Sequence, residues 1–147
     1  MAKSKIELPS SFPFSTKLTV RITDLNYGNH VGNDSILSML HEARVRFLEH
    51  YGLEELKFEG VGLIMRDVII EFKNEIFYRD VLTASVAVGG FTRAGFDIYY
   101  KIEKEDNEKK VLAVAARTGM ICYNYELKKI TAVPEKAQLK LEADNRE

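Results

Sequence analysis

A single stretch of this chain carries a sustained helical period, and most of the sequence after it alternates at period two. From about Asp34 to Tyr51, the apolar residues Ile36, Met39, Leu40, Ala43, Phe47 and Tyr51 fall at i, i+3/i+4 spacing, the buried stripe of one helix. Asn33 or Asp34 offers a side-chain oxygen to cap its start, and Gly52 supplies the residue that ends it. Eighteen residues at ~1.5 Å each give a rod of about 27 Å, long enough to be the central helix of a small domain.

Ahead of the helix, Leu18, Val20 and Ile22 alternate with Lys17, Thr19 and Arg21, so Phe14–Ile22 reads as a half-buried strand. Residues 1–13, with Pro9 and Pro13, read as an extended tail. Behind the helix, Leu63–Phe77 carries Ile64, Val68, Ile70 and Phe72 in strand-like order, and Val81–Val88 follows a charged turn at Arg79–Asp80. After the Gly89-Gly90 break, Phe96, Ile98, Tyr100 and Ile102 alternate with Asp97, Tyr99, Lys101 and Glu103. Glu103–Lys110 is a polar hairpin turn, Val111–Tyr123 the last long strand and Ile130–Val133 a short one, and Pro134 opens a charged, frayed tail. This order implies an α+β fold in which one twisted antiparallel sheet curls around one principal helix. Such a sheet leaves edges and a second face to protect, and a homodimer or tetramer does so economically.

At 147 residues the chain is expected to form a single domain, 1–147, with its core over about 15–135. Lys and Arg number 21 against 22 Asp and Glu, so charge gives no argument for a nucleic-acid or membrane partner. Cys122 is the lone cysteine, which excludes an intrachain disulfide and fits a reducing, cytoplasmic location. It lies in an apolar run and reads as a buried, inert thiol. The N-terminal residues show no continuous apolar stretch, hence neither a signal peptide nor a membrane span is expected. His30, His41 and His50 lack metal-ligand spacing, and phosphate-cradling glycine motifs are absent; no metal and no cofactor are expected.

The remaining feature is the segment Thr23–Asp34, between the first strand and the helix. It places Asp24, Asn26, Gly28, His30, Gly32, Asn33 and Asp34 within twelve residues, so titratable groups stand beside backbone donors at a helix N-terminus. Together with His41-Glu42-Ala43-Arg44, Arg79-Asp80-Val81-Leu82 and Thr118, this segment resembles the hotdog-fold acyl-CoA thioesterases of the 4-hydroxybenzoyl-CoA thioesterase-like group, with acyl-acyl-carrier-protein thioesterases as relatives. The segment is similar to that family's Asp-x-Asp-x-x-Gly-His-Val-x-Asn loop. The resemblance implies a hotdog fold, with one long central helix wrapped by a curved antiparallel sheet. It further implies hydrolysis of an acyl-CoA or acyl-carrier-protein thioester to acid and thiol, at a site on a dimer interface. Asn26 departs from the pattern, since many members carry the catalytic aspartate there. Gly28 falls where the acyl-carrier thioesterases have an asparagine.

Each residue has a chemical role open to it. Amides near Gly32, Asn33 and Asp34 can polarise the thioester carbonyl, or these residues simply cap a helix. His30 can activate water, an imidazole's ordinary pKa of ~6.5 suiting neutral pH, or it orders the loop. Asn26 can orient water or hold the carbonyl oxygen, or it is a turn residue. Asp24 is a base or, by accepting backbone amides, a brace. Glu42 is a carboxylate facing a partner subunit's site or half of an exposed pair with Arg46. Arg93 and Lys101 can meet CoA phosphates or are merely solvated. An acyl slot is expected near Met39, Leu63 and Met65. Two other activities compete: a non-catalytic acyl-CoA-binding hotdog, and a hydratase or dehydratase using His30 with Glu42.

Overall fold

The computed structural model describes residues 6–145. Strand β1 (Phe14–Leu18) leads through a 3₁₀ turn (Ile22–Asp24) and a loop into helix α1 (Asn33–His50). Strands β2 (Gly62–Phe72), β3 (Leu82–Gly89), β4 (Gly95–Asp106), β5 (Lys109–Asn124) and β6 (Lys129–Thr131) follow, then helix α2 (Glu135–Glu142). The sheet is antiparallel, in the order β1-β3-β4-β5-β2, with β6 paired to β5. Among the described residues, no helix is long and apolar enough to cross a membrane.

The expected stripe of α1 is the face that packs. Ile36, Met39, Leu40, Ala43 and Phe47 are buried, joined by Leu48, while Tyr51 is half-buried at the C-terminal end. Gly52, at φ 74°, ends the helix as read from the sequence. Opposite the helix lie the inward residues of three neighbouring strands: Leu82, Ala84 and Val86; Ile98, Tyr100 and Ile102; Val114, Ala116 and Met120. Within this apolar layer, Arg44 is 6% exposed. Its guanidinium donates to the Tyr100 hydroxyl at 3.2 Å, the hydroxyl pairs with Thr118 Oγ1 at 2.7 Å, and Arg44 Nε meets Glu55 at 3.5 Å. A buried charge is tolerated when it is partnered in this way. Burial also pushes the Tyr100 hydroxyl pKa up, and burial lifts the Cys122 thiol to about 11.

Several boundaries differ from the sequence expectation. β1 stops at Leu18 rather than Ile22, because its partner β3 begins at Leu82, opposite Leu18. The chain then turns: Arg21 N–H donates to Asp24 Oδ2 at 2.8 Å, and Ile22 is left exposed. Such a local side-chain bond competes successfully with a ladder that has no partner left. β2 ends at Phe72 rather than Phe77, since the amides of Lys73 and Asn74 both turn to the Ala113 carbonyl. The polar turn shrinks from Glu103–Lys110 to Asn107 and Glu108, both at positive φ (51° and 68°), the geometry of a tight hairpin. Charged residues continue the ladder up to it, with Glu105 opposite Lys110 and Asp106 opposite Lys109. The tail after Pro134 is not frayed over residues 135–142. It forms α2, which buries Ala137 and Leu141 completely. Those two residues, spaced i, i+4, are the helix's only buried anchors, too few to stand out among its charges.

Candidate active site

Backbone bonds close residues 24–33 into a compact loop. Asn26 N–H donates to the His30 carbonyl at 2.9 Å, Asn29 N–H to the Asn26 carbonyl at 3.1 Å and Gly32 N–H to the Asp24 carbonyl at 2.9 Å. Asn26 Oδ1 accepts the Gly28 N–H at 2.8 Å, an Asx-type turn. Val31 N–H donates to the Ile76 carbonyl at 2.7 Å, which ties the loop to the chain leaving β2. A Cβ on Gly28 would stand 3.1 Å from His30 Cδ2 and 3.2 Å from Nε2, so the bare backbone at Gly28 allows its close approach to the imidazole.

The loop presents its side chains to two separate clefts. One, of about 290 Å³, is lined by His30, Asn33, Ile36, Phe72, Glu75 and Ile76 among others. The second, of about 410 Å³, is lined by Asp24, Ser35, Ser38, Met39, Glu42 and Arg46 among others. Residues close in sequence therefore part company: His30 and Asn33 share one cleft, Asp24 and Glu42 the other.

His30 Nδ1 lies 3.2 Å from the Val31 carbonyl oxygen. That oxygen can only accept, so this bond calls for the tautomer with the proton on Nδ1, which leaves the ring lone pair on Nε2. Nε2 points toward Glu75, whose Oε2 is 3.5 Å away. The start of α1 supplies the electrophilic side. Its N-cap is Gly32 rather than Asn33 or Asp34, because the first helical bond runs from Ile36 N–H to the Gly32 carbonyl. The Gly32 amide is already taken by Asp24, which removes it from the expected donor set. The first-turn amides of Asn33 and Asp34 have no helical acceptor, and no side chain among the described residues caps them, so they stand at the positive end of the helix dipole. Asp34 folds back over Gly32, where a Cβ would lie 2.8 Å from Asp34 Oδ1.

The other sequence candidates sit elsewhere. Asp24 is buried, accepts the Arg21 amide and pairs with the Arg21 guanidinium at 3.6 Å, the geometry of a brace. Glu42 is exposed and accepts from Arg46 Nε at 2.8 Å, while Arg46 also donates to Thr16 and Lys17 of β1. Arg93 occupies the β3–β4 turn. The loop sits at the Leu82 end of β3, so eight residues at about 3.3 Å, or about 26 Å, separate Arg93 from it within one subunit. Met65 does not line an acyl slot with Met39 and Leu63; it is 39% exposed on β2, at the sheet's edge. Glu75 escaped the sequence reading because it fell inside an apparent period-two run. The polar pair Lys73-Asn74, which breaks that run, was the signal available.

The model of the Thioesterase-like superfamily matches residues 20–141 of the chain. No curated protein matches it. Among solved structures, the 1,4-dihydroxy-2-naphthoyl-CoA thioesterase of Synechocystis superposes with a TM-score of 0.79 at 19% identity, covering 91% of this chain and 98% of its own. A thioesterase of Thermus thermophilus complexed with coenzyme A and Zn gives 0.78 at 19% identity, covering 95% and 99%. A mutant 4-hydroxybenzoyl-CoA thioesterase complexed with 4-hydroxybenzoyl-CoA gives 0.79 at 16% identity, covering 87% and 97%. At these identities the likeness is one of fold, the curved antiparallel sheet around a long helix known as the hotdog. With its family match spanning most of the sequence, the chain belongs to the Thioesterase-like superfamily.

Proposed function

We propose that this protein is a thioesterase that hydrolyses an acyl thioester of CoA or of acyl-carrier protein, in the cleft where His30 meets the first turn of α1. One observation carries the reading: in a member of this superfamily, the Nε2 side of His30 and the start of a helix with unpaired amides line the same cleft. The thioester oxygen accepts from the Asn33 and Asp34 amides, whose fixed dipoles stabilise the oxyanion as it forms. His30 Nε2 removes a proton from the attacking water. The departing thiolate is stable enough to need little acid assistance. Val31, Ile36, Ile76 and Val114 provide the apolar wall for the acyl group. Asn26 shapes the loop through Gly28, and Asp24 braces it. The superposed structures named for CoA thioesters support CoA as the carrier, and the single buried cysteine fits a reducing compartment such as the cytoplasm.

Purified protein is expected to release free thiol from at least one of a panel of short, long and aromatic acyl-CoAs, followed with a thiol-trapping reagent. Saturable acyl-CoA binding without thiol release would show a binding protein instead, and loss of absorbance from a 2-enoyl-CoA would show a hydratase.

We also infer a homodimer, or a tetramer built from it, formed along the free edge of β2. Met65 and Phe72 lie opposite buried Met120 and Val114, thus on the helix side of the sheet, yet they are 39% and 51% exposed. An edge strand with apolar residues on its inner face is a template for a second copy. Replacing both Met65 and Phe72 by lysine is expected to give a monomer by light scattering. An unchanged dimer would place the interface elsewhere.

A further inference from the structure

Glu75 comes from the segment joining β2 to β3, yet its carboxylate lies 3.5 Å from His30 Nε2 and lines the same cleft. The main chain holds this juxtaposition from both sides. Val31 N–H donates to the Ile76 carbonyl at 2.7 Å, and His30 and Phe77 form an antiparallel bridge. In that antiparallel register His30 stands across from Phe77, and Glu75 lies two residues along from Phe77 on the same face, so His30 and Glu75 are diagonal neighbours.

The other acids near the loop do not take this place. Asp24 is buried on the second cleft and engaged by Arg21. Glu42 lines that second cleft too and is engaged by Arg46. Asp34 lies against Gly32. Asn26 has no charge to offer. Glu75 is the sole carboxylate in the lining of the His30 cleft among the described residues.

The two ring nitrogens of His30 thus face different acceptors. Nδ1–H is held by the Val31 carbonyl, and Nε2, unprotonated in the neutral ring, faces an acid that becomes a partner only once Nε2 gains a proton. We propose that Glu75 is the positioning residue of His30, its carboxylate, 3.5 Å from Nε2, stabilising the positive charge that the ring acquires when Nε2 deprotonates the attacking water. This rests on the thioesterase reading of the cleft. As the water oxygen bonds to the carbonyl carbon, one O–H bond breaks, its proton moves to Nε2, and the carbonyl π pair moves to oxygen. Collapse of the oxyanion breaks the C–S bond, the thiolate leaves with that electron pair, and it takes the proton from Nε2. Glu75 stays ionised throughout, and His30 returns to its neutral form.

The test is steady-state thiol release by wild type, E75Q, E75D, H30A and the H30A/E75Q double variant on one acyl-CoA. E75Q is expected to lower kcat about 10- to 100-fold with little change in KM. This is less than the ~10⁴-fold loss seen where a triad aspartate also sets the tautomer, a task that falls here to Val31. E75D is expected to recover part of the loss. In the H30A background, E75Q is expected to change kcat less than about 2-fold, because a group that acts through the imidazole has nothing left to act on. Wild-type kcat in E75Q, or the same loss in both backgrounds, overturns the role of Glu75 alone. Absence of thiol release by wild type from both acyl-CoA and acyl-carrier-protein thioesters overturns the hydrolase reading, and this role with it.

Discussion

Alanine at position 30 is expected to lower kcat for thioester hydrolysis by at least ~100-fold, the usual consequence of deleting a positioned general base. KM should move little, because the proposed role of the imidazole is to act on water rather than on the acyl group or its carrier. The fold should survive: the ring is about a third exposed, and the loop around it is closed by main-chain bonds that do not involve the side chain. Asn26→Ala is expected to lower kcat comparably for a different reason. It frees the Gly28 amide from its Asx turn, and with it the backbone that stands against the His30 ring. Thiol trapping measures both losses, and thermal unfolding checks that each variant is folded. Wild-type turnover in both would remove the site from this cleft.

Phe47→Ala is expected to cost about 3–5 kcal/mol of stability, the range for emptying a fully enclosed aromatic position. Phe47 has no exposed surface and sits toward the C-terminal end of the apolar face of α1. Phe14 meets it edge-on at 5.8 Å and Tyr51 at 5.2 Å. These partners come from β1 and from the end of the helix, so the space left by the ring cannot close without moving one of them. For a domain of this size the loss corresponds to roughly 10 °C in Tm, measurable by circular dichroism. A change below about 1 kcal/mol would mean that the helix is not seated on this ring.

The helix was legible because two independent signals agreed, an unbroken stripe from Ile36 to Phe47 and a glycine at its end. The strand assignment was also readable wherever one face is buried, as along β4, where Ile98, Tyr100 and Ile102 are enclosed and their neighbours are not. Strand ends were not readable, since they depend on what lies across the ladder: nothing in Phe14–Ile22 tells that β3 begins opposite Leu18. The candidate site was legible as a location but not as an arrangement. Asp24 and His30 are six positions apart, which suggests one constellation, yet the turn between them sends the two side chains to different clefts. Glu75 is the converse case, distant in sequence and adjacent in space through the Val31–Ile76 bond. Arg44 was seen as part of a family signature, but its burial depends on Tyr100 and Thr118, on two strands of the sheet that no local pattern connects to it.

The strand order β1-β3-β4-β5-β2 has a consequence for how the chain assembles. β3, β4 and β5 are neighbours both in sequence and in the sheet, joined by one short turn and one two-residue hairpin, so they can pair at little loop-closure cost. β1 and β2 must instead reach opposite margins of that meander across long stretches of chain, and the His30 loop is pinned only when Val31 meets Ile76. The meander is the natural nucleus, and the His30 loop locks late and opens early. Amide hydrogen exchange is therefore expected to be slowest in the middle of β4 and β5 and much faster at Val31, which would make the site the part of the molecule whose order responds first to a bound acyl thioester.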